Sequence, residues 1–292
     1  MYYIIISLLF LVGCGSNHVE TKQPTKSQKE ILLEIREEAR SVQNPHTFVE
    51  DCDFGVVGGE LCFSGNDWAC GETAKIQDST GKLWRNQFQC GADTNETDFS
   101  RDQLMGWLMY LIRTQDHRRG NLTTDYINRI GSLCEQREYN RCELTPSTIH
   151  VYNLVAKHVG FRKLDYVSTD PFDVVLWLSA ETVPLGYQMH LVAMKILMLR
   201  EMGYSSVGIK NASQTLHKRQ PDNPLFAYVA GEDGGSRLIS FWENVYKPKA
   251  SVCYYESGWF FSKERAEWCQ RPRWGISGYD VEVLVNLLTR GY

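Results

Sequence analysis

Nine cysteines constrain what this 292-residue chain can fold into more than any other feature of its sequence. Because the number is odd, at least one cysteine has no partner within the chain. Cys14 stands apart at the end of an apolar run, and the other eight lie between Cys52 and Cys269. An even set of that size is typical of a disulfide framework in a chain exported to an oxidising compartment. The sequence therefore predicts an exported, disulfide-bonded protein with one cysteine left for another purpose.

The spacing of those eight cysteines predicts some of their pairings. Cys134 and Cys142 enclose the short segment EQREYNR, so we expect them to form a bridge. Cys253 and Cys269 enclose an aromatic-rich segment and form the second expected pair. The remaining four, which admit three pairings that the sequence does not distinguish, are Cys52, Cys62, Cys70 and Cys90. A zinc site is the alternative for such thiols, but no CxxC or HxxxH spacing occurs, so we predict no metal and no cofactor.

The apolar run from Tyr3 to Val12 is too short to cross a bilayer as a helix and is typical of a secretion signal. Its end, LVGC at residues 11–14, resembles the lipobox of bacterial lipoproteins. That resemblance implies that residues 1–13 are removed as a signal peptide and that acyl chains on Cys14 hold the protein on a membrane. Gly15, which follows the cysteine, resembles the residue found at that position in enteric lipoproteins of the outer membrane. The resemblance implies that the protein is anchored to the outer membrane and faces the periplasm or the cell surface. The alternative is that the apolar run forms a buried first helix.

Charge and length limit the classes of partner and the number of domains. The formal net charge of −4 gives no reason to expect a nucleic-acid partner. Residues 14–28 are polar and predict a flexible tether, which leaves residues 29–292 for a single globular domain that opens with an amphipathic helix over residues 29–43. The chain contains no GxSxG, Walker A, GxGxxG or HExxH motif, which argues against the corresponding hydrolase, nucleotide-binding and zinc-protease classes.

The globular part divides into two stretches of different character. Residues 49–97 contain several glycines and four of the cysteines, and they predict a loop-rich, disulfide-stapled segment with a small β-hairpin that turns at residues 78–81. From Ser100 onward, apolar residues recur at helical spacing in segments joined by short loops. Ser100 and Thr145 are suitable caps for two of these helices. The sequence thus predicts a mainly α protein built from antiparallel helical hairpins.

Two of the helical stretches resemble segments of α/α-toroid proteins, namely FSRDQLMGWLMYLIRTQD at residues 99–116 and LHKRQPDNPLFAYVAG at residues 216–231. Several glycoside hydrolases and polysaccharide lyases have that fold. The resemblance covers residues 99–292 and implies a partial α/α toroid or an irregular helical bundle. It also implies a candidate activity on carbohydrate, as a glycoside hydrolase or a polysaccharide lyase.

Candidate catalytic groups follow from carbohydrate chemistry, which requires a carboxylic acid beside a second carboxylate or a base. Asp102 is the first, next to Arg101 at a helix start. Its alternative role is to stabilise its own helix and pair with Arg101. The segment GNDWACGET offers Asp67, Trp68 and Glu72 in a glycine-flanked loop suited to sugar recognition. The alternative is a turn held by Asp67, with Trp68 in the core.

The most apolar of the predicted helices contains His190 and Tyr187, three residues apart, so both side chains can share one face. If that face lines a cleft, the two are a candidate proton-transfer pair. A histidine in such a helix is otherwise a core residue. The aromatic-rich tail provides candidate ligand-binding residues, Trp259, Trp274 and Arg273, and its alternative role is to close the end of the core.

Two functions remain open from the sequence. The first is a membrane-anchored envelope lipoprotein that binds or processes a glycan, with Asp102 as acid or base and Asp67 or His190 as its partner. The second is a non-catalytic lipoprotein that binds another envelope protein, in an exclusion, immunity or structural role. Both need the anchor and the disulfides, whereas only an enzyme needs two ionisable groups that converge in a cleft.

Overall fold

The chain is mainly α-helical, as the sequence predicts. The computed structural model describes residues 26–41, 43, 45–90, 99–135, 142–166, 172–183, 187–246, 252–254, 274–276 and 278–290. Within these ranges it contains thirteen α-helices, one π-helical turn and two short strands. No helix among them is both long enough and apolar enough to cross a membrane.

The α-helices are α1 (Gln28–Ser41), α2 (Pro45–Glu50), α3 (Phe54–Ser64), α4 (Asp67–Ala74), α5 (Arg101–Thr114), α6 (His117–Ile130), α7 (Pro146–Val159), α8 (Phe172–Thr182), α9 (Tyr187–Glu201), α10 (Val207–Arg219), α11 (Pro224–Ala230), α12 (Gly234–Phe241) and α13 (Gly278–Thr289). The π-helical turn, Trp242–Tyr246, continues α12. The strands β1 (Val252–Tyr254) and β2 (Trp274–Ile276) pair in parallel, with Val252 opposite Trp274.

Short polar side chains set the starts of many of these helices. Each of the following capping residues accepts a hydrogen bond from a backbone N–H of its first turn: Asn66, Asp116, Thr145, Ser206, Asn223 and Asp233. Thr145 confirms the predicted cap of α7, which ends at Gly160 with φ of 89°. Ser100 precedes α5 as predicted, but its hydroxyl donates to Asp102 and caps no amide.

Helix α3 is the most deeply buried element, and all of its residues are shielded from solvent. It packs against α4, α5 and α13, while α9 packs against α5, α10 and α11. Gly59 and Gly106 allow the closest approach, since a Cβ at Gly59 would lie 2.0 Å from the Gly106 carbonyl oxygen. The backbones of α3 and α5 are therefore in direct contact.

This packing corrects the predicted loop-rich character of residues 49–97. Residues 54–64 and 67–74 are helices, and Gly55 and Gly59 in the first of them serve close packing against α5 and not turns. The predicted turn at residues 78–81 is present, with Gly81 at φ of 89° and the Asp78 carboxylate accepting from the Thr80 and Lys82 amides. The predicted hairpin is reduced to one isolated antiparallel bridge, Gln77 to Leu83.

Three disulfides are formed among the described residues, and they settle most of the predicted pairing. Cys134–Cys142 is confirmed. The four cysteines that the sequence left open pair as Cys52–Cys90 and Cys62–Cys70. The second of these links the buried helix α3 to α4. Cys253 lies in β1 and Cys269 lies outside the described residues, so that pairing stays a prediction.

Replacing Gly106 with alanine tests the contact between α3 and α5. The added methyl would lie 2.2 Å from the Gly55 carbonyl oxygen, so we expect overpacking to lower the free energy of unfolding by about 1–3 kcal/mol. Gly71→Ala is the matched control, because no atom lies within 4 Å of a Cβ at that helical position. Denaturant unfolding of both variants makes the comparison. Equal behaviour of the two would contradict the close approach of α3 and α5.

Candidate functional site

The amino-terminal ends of α3, α5 and α7 lie at one end of the helical body. Helices α3 and α5 are parallel, since Gly55 lies beside Gln103 and Gly59 lies beside Gly106. The Gln103 amide joins the two ends by donating to the Cys52 carbonyl and to Asp53, both at 3.2 Å. The start of α7 lies at the same end, where Lys195 of α9 contacts Ser147 of its first turn.

Lys195 of α9 connects the starts of α5 and α7. Its Nζ donates to the Ser147 hydroxyl at 3.0 Å, and Ser147 is in the first turn of α7. Burial lowers the pKa of Lys195 to about 8, and the nearby Arg101 guanidinium at the start of α5 lowers it further. We call Arg101, Ser147 and Lys195 the cationic site.

The two basic side chains of the cationic site have no acidic partner among the residues that the structure describes. Within the described part of the chain, neither Lys195 nor Arg101 takes part in an ion pair, although most other buried charges do. Arg101 and Ser147 are partly exposed, whereas the amine of Lys195 is shielded from solvent. The ends of α5 and α7 add the positive pole of two 14-residue helices. Neighbouring cations in such a place are stabilised by a bound anion.

Asp102, the first predicted catalytic residue, lies at this same end but is not paired as expected. Its carboxylate accepts a hydrogen bond from the Ser100 hydroxyl, and no ion pair with Arg101 forms. Asp102 is partly exposed at the first turn of α5. Asp102 therefore does not neutralise Arg101 through an ion pair.

Asp67 lies far from Asp102 and does not serve as its partner. Its side chain is 94% exposed and lies 4.0 Å from Arg113 at the opposite end of α5. Arg113 follows Asp102 by eleven residues, which corresponds to roughly 16 Å along a helix axis. The two carboxyl groups of a glycosidase lie at most about 10 Å apart. The structure therefore does not support a pair made of Asp67 and Asp102.

The other residues of the predicted sugar-binding loop belong to α4. Trp68 is 41% exposed, and its ring lies 6.5 Å from that of Phe48. Glu72 forms an ion pair with Lys75 at 2.6 Å and accepts from Gln87 at 3.0 Å. Glu72 thus holds its own surroundings together and presents no free carboxylate.

His190 is sealed in the core by a partner that sequence reasoning missed. Its Nε2 lies 2.5 Å from Glu60 Oε1 of α3, and both side chains are 2% exposed. Burial raises the pKa of Glu60, and the neighbouring His190 opposes that rise. A pair without access to solvent cannot exchange protons with a ligand. This excludes His190 as the base of an open cleft.

The remaining predicted residues fall outside what the structure describes. Tyr187 begins α9, but its side chain lies outside the described part, as does that of Trp274 in β2. Trp259, Arg273 and Cys14 are outside it altogether. Their roles as ligand-binding and anchoring residues stay predictions.

Sequence reasoning also missed Lys195 and Ser147. A signal for Lys195 was present, since it is the lone charge in the apolar stretch MHLVAMKILML, where a charged residue has to be buried or functional. A second missed group is Asp53, which pairs with Arg85 at 2.8 Å where α3 begins. Arg85 also donates to the Cys52 carbonyl, which ties the Cys52–Cys90 bridge to the same end.

Comparisons with known proteins provide no family for this chain: no protein-family model, no curated protein and no solved structure matches it. No group of three or more histidine, cysteine, aspartate or glutamate side chains among the described residues is arranged to hold a metal ion. The function therefore has to be argued from the arrangement of the side chains.

Proposed function

We propose that this protein is an exported lipoprotein, anchored to the outer membrane through Cys14, whose helical body binds an acidic glycan at the cationic site. The observation that carries the proposal is Lys195, whose Nζ donates to the Ser147 hydroxyl at 3.0 Å and which has Arg101 near it and no acidic partner in the described part of the chain. A glycan carboxylate supplies the missing negative charge. Charge-assisted hydrogen bonds to such a group are about twice as strong as neutral ones.

The cysteines support the export and the anchor. Six of the described cysteines form three disulfides, which is the state expected in an oxidising compartment. If Cys253 and Cys269 pair as expected, Cys14 is the single cysteine left over, and acylation gives it a role. A lipid anchor needs no spanning helix.

A binding experiment tests the ligand. The full chain in detergent is titrated with an O4-linked polyglucuronate and with the same polymer after reduction of its carboxyl groups. We expect the acidic polymer to bind at least tenfold more tightly, and its affinity to fall with added salt because the contacts are ionic. Equal affinity for the two polymers would remove the proposed role of the cationic site.

A fractionation experiment tests the anchor in the same protein. Cys14→Ser removes the thiol to which the diacylglycerol is expected to attach, so the variant should leave the membrane fraction. Ser16→Ala is the matched control beside it and should stay with the membranes. Membrane association that survives Cys14→Ser would contradict the lipid anchor and leave the glycan site untouched.

A further inference from the structure

An open cavity lies between the turn at residues 78–81 and the first two turns of α6, and we call it the α6 cavity. Its volume is about 420 Å³, which is within the range of small-molecule sites. Its lining combines charged, polar and apolar side chains, namely Gln77, Asp78, Ser79, Arg118, Arg119 and Leu122. None of these residues belongs to the cationic site, so binding of a glycan there does not account for this cavity.

The two walls of the α6 cavity are fixed to each other. A Cβ at Gly81 would lie 2.1 Å from the Leu122 carbonyl oxygen, so the backbone of the turn packs directly against α6. The buried Gln77 side chain donates to the Arg119 carbonyl at 2.9 Å and to the Thr123 hydroxyl at 2.8 Å. A ligand therefore enters a preformed site and loses little affinity to ordering of the protein.

Two guanidinium groups lie on the helical wall of the cavity. Arg119 is held by an ion pair with Asp116 at 3.4 Å and by a hydrogen bond from Nη1 to the Gln77 side-chain oxygen at 3.4 Å. Arg118 is exposed and forms no ion pair with the residues that the structure describes. Asp116 thus balances one of the two positive charges and leaves the other for a ligand. A planar guanidinium binds a carboxylate through two parallel hydrogen bonds.

A carboxylate lies on the wall formed by the turn. Asp78 Oδ1 accepts from the Thr80 and Lys82 amides, and Oδ2 accepts from the Trp84 indole at 3.2 Å. Burial opposes the ionisation of Asp78, but these hydrogen bonds outweigh it and lower the pKa of the carboxyl, so the group is charged at neutral pH. An oxygen with one donor has room for a second, and Ser79 adds an exposed hydroxyl beside it.

We propose that the α6 cavity binds the zwitterion of an amino acid or a short peptide, with its carboxylate on Arg118 and Arg119 and its ammonium on Asp78. The cavity offers positive charge on one wall and negative charge on the other, which suits a ligand that carries both. A purely anionic ligand is repelled by the carboxylate, and a purely cationic one by the guanidinium groups. Leu122 provides an apolar contact for a ligand side chain. This site is additional to the one proposed for the glycan and does not depend on it.

Blocking each charge of a dipeptide tests the proposal. The full chain in detergent is titrated by ligand-observed NMR with alanyl-leucine, with its N-acetyl form and with its C-terminal amide. Each blocked form lacks one charged contact, so we expect it to bind at least tenfold more weakly than the free dipeptide. L-leucine distinguishes the two sources: tighter binding than that of alanyl-leucine identifies an amino acid as the ligand, and weaker binding identifies a peptide. Equal affinities of the three dipeptide forms, or failure of both alanyl-leucine and L-leucine to bind, would overturn the proposal.

Arg118→Gln tests the contact with the ligand carboxylate. Because Arg118 is exposed, the substitution should leave the fold intact. We expect at least tenfold weaker binding of alanyl-leucine and loss of most of its advantage over the amide, while its advantage over the N-acetyl form persists. Arg129→Gln is the matched control, since it makes the same change of charge about 16 Å further along α6. Unchanged affinity in Arg118→Gln, or equal losses in the two variants, would contradict the proposed site.

Asp78→Asn tests the contact with the ligand ammonium. It removes the charge at nearly constant size, so the advantage of alanyl-leucine over the N-acetyl form should disappear while its advantage over the amide persists. Thr80→Val is the control for the turn, because it removes a hydrogen bond to Asp78 but leaves the charge in place. It should keep both preferences. Loss of both in Thr80→Val, or no change in Asp78→Asn, would show that the charge of Asp78 does not hold the ligand.

Discussion

Glu60→Ala is expected to lower the free energy of unfolding by about 3–5 kcal/mol, the largest effect on stability that we expect from a single substitution in this protein. Glu60 and His190 are each 2% exposed and lie 2.5 Å apart, so the pair is shielded from water. Removing the carboxylate takes away the buried hydrogen bond between Glu60 and His190 Nε2 and opens a cavity between α3 and α9. Denaturant unfolding monitored by circular dichroism measures the loss.

A double replacement provides the control for that experiment. Glu60→Met combined with His190→Leu fills the same space with apolar atoms, and well-packed apolar replacements of buried ion pairs are often neutral or stabilising. We therefore expect the double variant to be more stable than Glu60→Ala alone. A free energy of unfolding for Glu60→Ala within about 0.5 kcal/mol of that of the unmodified protein is typical of a surface substitution. That result would show that the buried pair does not stabilise the core.

Lys195→Met is expected to weaken binding of the acidic glycan by about tenfold to a hundredfold at neutral pH. A hydrogen bond to a charged group contributes about 1.5–3 kcal/mol, and the thioether removes both the charge and the donor. The same substitution should raise the free energy of unfolding, because burial and Arg101 both disfavour the ammonium in the unliganded protein. A loss of binding together with a gain in stability distinguishes a functional charge from a structural one.

The matched control is Lys210→Met on α10. Lys210 is exposed and lies on α10, which contains none of the three residues of the cationic site. It should change neither affinity nor stability beyond about 0.5 kcal/mol. If both substitutions weakened binding equally, Lys195 would contribute through general electrostatic attraction and not through a specific contact with the glycan.

The pH dependence of both properties follows from the lowered pKa of Lys195. An unfolded lysine titrates near 10.4, so between about pH 8 and that value the unfolded chain binds more protons than the native one. The stability of the unliganded protein should rise with pH through this window, and Lys195→Met should abolish that rise. Binding requires the ammonium, so affinity should fall by up to tenfold per unit above about pH 8.

Local chemistry made much of the fold predictable from the sequence. Thr145 followed by Pro146 and ended by Gly160 defines α7, because capping and glycine preferences act within a few residues. The Cys134–Cys142 bridge was predictable for the same reason, since only a short loop separates the two cysteines. The start of α6 gives no such signal, because its first turn after Asp116 is polar and lacks the apolar periodicity.

Contacts between distant segments were not predictable in this way. In the sequence, the glycines of α3 are typical of turns, and only the packing of α5 against them shows their role. Gly59 and Gly106, which approach each other closely, are separated in sequence by most of the segment that was predicted to be loop-rich. Glu60 and His190 are 130 residues apart, so neither reveals the other. The cationic site depends on three helices meeting at one end. Arg101 was noticed from the sequence, but only packing brings Lys195 and Ser147 to it.

The most direct test of the cationic site is the titration of the Lys195 side chain itself, followed by NMR of protein with isotope-labelled lysines and assigned with Lys195→Met. We expect a pKa near 8 in the free protein and a clear rise of that pKa when polygalacturonate is added, because a bound carboxylate stabilises the ammonium. Lys195 titrating like an exposed lysine near 10.4, or titrating identically with and without the polymer, would contradict it.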